Sequence, residues 1–308
     1  MSTFYAKRNE RMMNQADENT TRPIHLFEGE KWLVLTGLFG FLLAGFCAVW
    51  VMLYGGPVAP KGNVLNAVSF NAALGLFLLS TAAIVPLSGL GTKGRAFFRR
   101  SYIILVMYSY FAETVQNLRG VNPRFVKGGT VFDITVGSIF TFVALLLVLC
   151  YLFLAVQYFR RKAYLLRPEL AVGIRYAMIA VLFSFAAGIW ISFNGGRLVG
   201  LHGNIIWLHG LGFHALQAVP LVAWLAERTS PSTKARRAWI HVSGISYLFG
   251  LSAIGWQTYL GRTVMEWSAI PLIACVCFLI SLAAGAIIVR QHLLTLRLSE
   301  KLKAMKPA

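Results

Sequence analysis

Runs of more than twenty consecutive residues without Asp, Glu, Lys or Arg recur along this chain of 308 residues. A stretch of about 18 or more apolar residues can cross the ~30 Å hydrocarbon core of a bilayer as a helix. Nothing in that core can satisfy a bare backbone, so each run must close its own hydrogen bonds. Hydrophobic residues make up 57% of the chain and charged residues 13%, against roughly 25% charged in a soluble domain. The charges collect in short clusters between the apolar runs. The reading is an all-α, polytopic transmembrane helical bundle of about eight spans, near 33–54, 66–90, 101–118, 132–158, 170–193, 204–226, 238–260 and 267–289. The second and fourth exceed a straight crossing and should tilt or extend past the membrane. The third carries Glu113 and Gln116. The first 31 residues are polar and mixed in charge, which is not a secretory signal pattern.

A net charge of +18 raises nucleic acid as a partner, but the basic residues sit in loops too short to form a domain. Topology explains them better. With the N-terminus inside, the inner segments hold 22 of the 29 Lys and Arg residues and the outer loops hold 6. That asymmetry orients the chain with both termini cytoplasmic, as an integral protein of the cell (cytoplasmic) membrane. The inner basic clusters should meet the anionic lipids of the inner face. The tail after Val289 keeps Leu293, Leu294, Leu296, Leu298 and Leu302 among basic residues, and is expected to lie as an amphipathic helix along the inner surface.

The chain also echoes itself. Trp50–Gly56 reads W-V-M-L-Y-G-G and Trp190–Gly196 reads W-I-S-F-N-G-G. Gly62-Asn63 precedes a run with Phe70-Asn71-Ala72, and Gly203-Asn204 precedes one with Phe213-His214-Ala215. Gln116 and Gly120 close the third span as Gln257 and Gly261 close the seventh. The offsets of 140 to 143 residues suggest a tandem duplication of a four-span unit. The expected organisation is an N-terminal tail (1–32), two four-span repeats (33–160 and 168–289) and a basic C-terminal tail (290–308). Four is even, so the halves share one orientation. On these strings Asn71 is the repeat partner of His214.

Polar residues inside a bilayer are costly and point to function. Here they gather toward the outer half. Glu113, Gln116 and Gly120 share a helical face; Arg119 follows, and Asp133 opens the fourth span. The sixth span carries His209, His214 and Gln217, the second Asn71 and the seventh Gln257. The expectation is one outward-facing polar pocket lined by the second, third, sixth and seventh spans, binding or transporting a small solute. Glu113 would be its acid or proton carrier and His214 its base or ligand, with Arg119, Arg124, Arg197 and Arg262 favouring anions at its mouth. The competing view is that these side chains join helices by hydrogen bonds. His202 and His209, two turns apart, are too few for a metal site. The cysteines lie within apolar runs and form no disulfide framework. No Gly-x-Ser-x-Gly, His-Glu-x-x-His, Cys-x-x-Cys or phosphate loop is present. The balance leans away from an enzyme.

Two resemblances follow from these features. In architecture, eight spans as two tandem four-helix units with an inner N-terminus, the chain resembles heme A synthase. That family holds heme with histidines on the even-numbered spans of both halves. Here the sixth span has His209 and His214, while spans two, four and eight have none, so the resemblance implies a fold rather than an activity. A membrane redox protein using heme or quinone near His214 is the alternative it raises, beside a structural or regulatory membrane protein acting through its basic loops. Locally, Gln116-x-x-Arg119-Gly120-x-x-Pro123, Gly212-Phe213-His214-Ala215-Leu216-Gln217-x-x-Pro220 and Trp256-Gln257 resemble an uncharacterised family of bacterial multi-span membrane proteins. This implies only that these residues belong together.

Overall fold

The computed structural model describes residues 25–126, 128–229 and 231–304, with 298–304 as backbone alone. The expected polar N-tail lies outside the described residues up to residue 24. Among the described residues nine α-helices form an all-α polytopic bundle: α1 (Lys31–Tyr54), α2 (Val64–Ile84), α3 (Thr92–Leu118), α4 (Val131–Phe159), the short α5 (Arg161–Leu166), α6 (Pro168–Phe193), α7 (Ile206–Ala226), α8 (Thr233–Tyr259) and α9 (Ala269–Ala304). Seven of them, all but α3 and α5, are long and apolar enough to cross a membrane.

The eighth long helix, α3, is too polar to qualify on composition, yet it runs the full height of the bundle. Near its start, Arg95 and Arg99 bond Glu30, just ahead of α1. At its far end, Asn117 Oδ1 accepts from the Asn63 amide at the start of α2. Since α1 and α2 are antiparallel neighbours, these two anchors lie at opposite ends of the bundle. Buried side chains on the polar helix face its neighbours, among them Ser109, Glu113, Gln116 and Asn117.

Local chemistry explains the helix boundaries. Asn63 caps α2, its side chain accepting from the Leu65 amide. Thr130 and Asp133 form a reciprocal capping box on α4. Ser232 caps α8, and Pro168 occupies the first turn of α6. The long second span ends as an α-helix at Ile84, where Pro86 turns it into a 3-10 segment, Val85–Ser88. The tail expected along the surface does not break away at Val289. Leu, Arg, Gln and Thr follow with no Gly or Pro, so α9 continues as one helix of 36 residues.

One end of the bundle carries two matching hairpins. β1 (Pro57–Val58) pairs antiparallel with β2 (Gly62–Asn63), and β3 (Leu198–Val199) pairs with β4 (Gly203–Asn204) in the same register. Each hairpin is clasped by the end of a long helix. The Lys61 amide donates to Gly120 O at 2.8 Å, and the His202 amide to Gly261 O at 3.0 Å. Val64 donates to Gly56 O as Ile205 donates to Arg197 O. Every one of these pairs is separated by 141 positions. That offset puts Asn71 level with Gly212, not His214. The two-residue slip is 200° around a helix. Accordingly Asn71 is buried against α3 while His214 is exposed.

The opposite end, which carries both tails, has matching ion pairs. Glu30 is fully buried beneath Arg95 and Arg99. Glu169 lies beneath Arg236 and Arg237 at 3.5 and 3.8 Å, and Arg167 bonds Glu227. Glu30 accepts three charge-assisted hydrogen bonds from the arginines, whereas the contacts to Glu169 are longer. Glu30→Ala should therefore lower the unfolding free energy by about 2 kcal/mol, and Glu169→Ala by less than about 1 kcal/mol. Reversible unfolding in detergent micelles measures both, and equal losses would contradict the assignment.

The halves meet where α2 packs on α7 and α4 on α6. An aromatic cluster fills this seam. Phe213 contacts Phe77 at 4.7 Å and Phe185 at 5.6 Å between ring centroids, and Tyr151 contacts Phe77 at 4.8 Å.

Candidate functional site

The candidate residues occupy four separate groups rather than one pocket. The largest lies at the hairpin end of the first half, between α2, α3 and α4. Asn71 donates to Thr114 Oγ1 at 2.9 Å. Glu113, with no exposed side-chain surface, accepts from Asn117 Nδ2 at 3.1 Å and from Arg124 Nε at 2.5 Å. Arg124 comes from the loop after α3, is 39% exposed, and lies over the Phe70 ring at 5.4 Å. Gln116 donates to the Asp133 carbonyl, and Arg119 to Asp133 Oδ1 at 3.1 Å. Two atoms here remain buried without a partner, Asn71 Oδ1 and Gln116 Oε1.

Gln257, the counterpart of Gln116 at the 141-residue offset, donates to Thr263 O and to Glu266 Oε2. Its own Oε1 is also buried and unpartnered. Glu266 lies 4.0 Å from Arg262. Three of the four arginines expected to ring an anion-attracting mouth, Arg119, Arg124 and Arg262, thus each have a carboxylate of their own.

The two membrane histidines of α7 go to different neighbours. They are five residues apart, so they point about 140° away from each other. His209 turns toward α6: its Nδ1 lies 2.8 Å from Ser184 O, it stacks edge-on against Phe213 at 4.9 Å, and a Cβ on Gly188 would meet its ring. His214 turns to the other side, with Nδ1 at 3.2 Å from Gln217 Oε1. Gln217 Nε2 in turn reaches across to Ser80 Oγ on α2 at 2.6 Å. His209 and His214 therefore face different neighbours, and these two do not fit a heme held between them. Among the described residues no group of three or more His, Cys, Asp and Glu could hold a metal ion.

Two cavities stand apart from the hairpin-end cluster. A groove of about 1080 Å³ runs between α7, α8 and α9 over Tyr247, Phe278 and Gly285, ending between Arg290 and Arg297. A crevice of about 410 Å³ lies at the seam of the halves, lined by Leu79, Ser80, Ala83, Leu216, Pro220 and Trp224 and approached by Leu26 and Phe27.

Sequence reasoning missed Thr114, Asn117, Ser184 and Ser80. Asn117 carried a usable signal, four residues after Glu113 on the same helical face. Ser80 lies 137 residues from Gln217, and only the packing of α2 on α7 brings them together. No family model, no curated protein and no solved structure matches the chain.

Proposed function

We propose that this is a solute-binding multi-pass protein of the bacterial cell membrane, with the hairpin end outside and both tails cytoplasmic. The Lys and Arg distribution supports that orientation, with the basic tail end against anionic lipid. We further propose that its halves arose by tandem duplication. The repeated hairpin register and the set of hydrogen bonds recurring at 141 residues support this reading.

The solute site we propose is the Glu113–Arg124 pair. The observation that carries it is an asymmetry of access: the carboxylate is fully buried, while its cation is loop-borne and 39% exposed. A small anion arriving from outside meets the guanidinium first and competes with Glu113 for it. Phe70 beneath the guanidinium supplies an apolar wall. The exchange suits a compact anion such as a carboxylate or phosphate, which matches the guanidinium fork.

A panel of small carboxylates, phosphate and sulfate screened by thermal unfolding of purified protein tests this. At least one should raise the midpoint of the wild type and leave the Glu113→Gln/Arg124→Gln double variant unmoved. A wild type blind to every anion, or a double variant responding equally, would rule the site out.

A further inference from the structure

The feature that the proposed solute site leaves unused is His214. It lies eight residues into α7, ~12 Å along a helix ~31 Å long, and so close to mid-membrane. Its side chain is exposed there. An imidazole facing hydrocarbon with an open polar atom is costly, so a partner for that atom is expected.

The hydrogen bonds around it define what the partner must be. Ser80 donates its hydroxyl hydrogen to Leu76 O at 2.9 Å, so toward Gln217 it can only accept. The Gln217 amide nitrogen therefore faces Ser80 and its carbonyl faces His214. Nδ1 of His214, facing an acceptor, carries the ring hydrogen. In the neutral ring Nε2 is then a bare acceptor. This relay spans both halves of the protein and holds the tautomer from behind.

The apolar body of such a partner also has a place. His214, Gln217, Leu221 and Trp224 follow one another at helical spacing on one face of α7. Leu221 and Trp224 line the 410 Å³ crevice, whose wall on α2 begins at Leu79 and Ser80. The polar relay thus stands at the hairpin-side end of an apolar slot running toward the tail end.

We propose that His214 accepts a hydrogen bond from the hydroxyl of a lipid-soluble ligand whose apolar body lies in the crevice between α2 and α7. The ligand class is a hydroxylated amphiphile. Its hydroxyl donates to Nε2, which a carbonyl or ether cannot do. A quinol and a long-chain lipid alcohol both meet this description. The site is independent of the Glu113–Arg124 reading, from which it differs in residues, depth and ligand.

Binding to purified protein in detergent, followed by the change in Trp224 emission with Trp224→Phe as the blank, separates the possibilities. The probes are decylubiquinol, its dimethyl ether and hexadecanol. Decylubiquinol should bind, and its dimethyl ether should bind about tenfold more weakly, the equivalent of one hydrogen bond. His214→Ala should lose the same factor. Ser80→Ala, which keeps the helix packing but frees Gln217 to turn, should weaken decylubiquinol binding and leave the dimethyl ether unchanged. Binding of decylubiquinol alone identifies a quinol site, and added binding of hexadecanol a general lipid-alcohol site; either outcome supports the proposal. Equal binding of quinol and dimethyl ether, or no binding of either hydroxylated probe, overturns it. So does a dimer that covers His214 and dissociates in His214→Ala.

Discussion

Gly120→Ala should lower the unfolding free energy by about 4 kcal/mol, while Gly261→Ala at the equivalent place lowers it by about 1–2 kcal/mol. Both glycines have positive φ, 80° and 69°, so each alanine meets the left-handed penalty. The surroundings differ. A Cβ on Gly120 would sit 1.8 Å from Ala59 O, whereas one on Gly261 would have Gly200 Cα as its nearest neighbour at 3.0 Å. The first clash is backbone against backbone, and no rotamer relieves it. Relief requires moving the 57–63 hairpin, which breaks the bond from the Lys61 amide to Gly120 O and strains that from Asn63 to Asn117. Denaturant titration in micelles gives the two values. Similar losses would show that the first clasp is looser than its geometry implies.

Arg124→Ala should be nearly as damaging, at about 3 kcal/mol, because it strands a carboxylate with no exposed surface. The larger part of that loss should return in the Glu113→Gln/Arg124→Ala double variant, whose buried amide carries no charge and still faces Asn117. The recovery, more than the single loss, identifies the cause. A double variant no more stable than Arg124→Ala would mean that the arginine acts by packing on Phe70 instead.

The helices were legible in the sequence because hydrocarbon imposes a length and a composition on them. α3 shows where that logic thins out. Residues 101–118 read as a span despite Glu113 and Gln116, but the whole helix from Thr92 to Leu118 is less apolar than the other seven, and its height is set by anchors at both ends, to Glu30 and to Asn63. The hairpins, with strands of two residues each, offer no alternation to read, and their Gly-Gly pairs enter the sequence only as part of the repeated strings. At the site, depth was readable and azimuth was not. The sequence puts Glu113, Gln116, His209 and Gln257 toward one end of their spans, but which neighbours they meet depends on helix rotation. A two-residue slip in matching Asn71 to His214 turned one of them to the wrong side, and His209 and His214 diverge for the same reason. A shared pocket was inferred from shared depth, and helical rotation divided it into four groups.

The unbroken last helix has a mechanical consequence. At ~1.5 Å per residue, 36 residues make a rod ~54 Å long, while a bilayer core occupies ~30 Å of it. Roughly 24 Å remains beyond the hydrocarbon, without a Pro or Gly to act as a joint. Any reorientation of α9 within the bundle is therefore transmitted outside as leverage. A tilt change of about 10° swings its far end through about 4 Å, so the basic tip can register movements too small to alter the packing between α8 and α9.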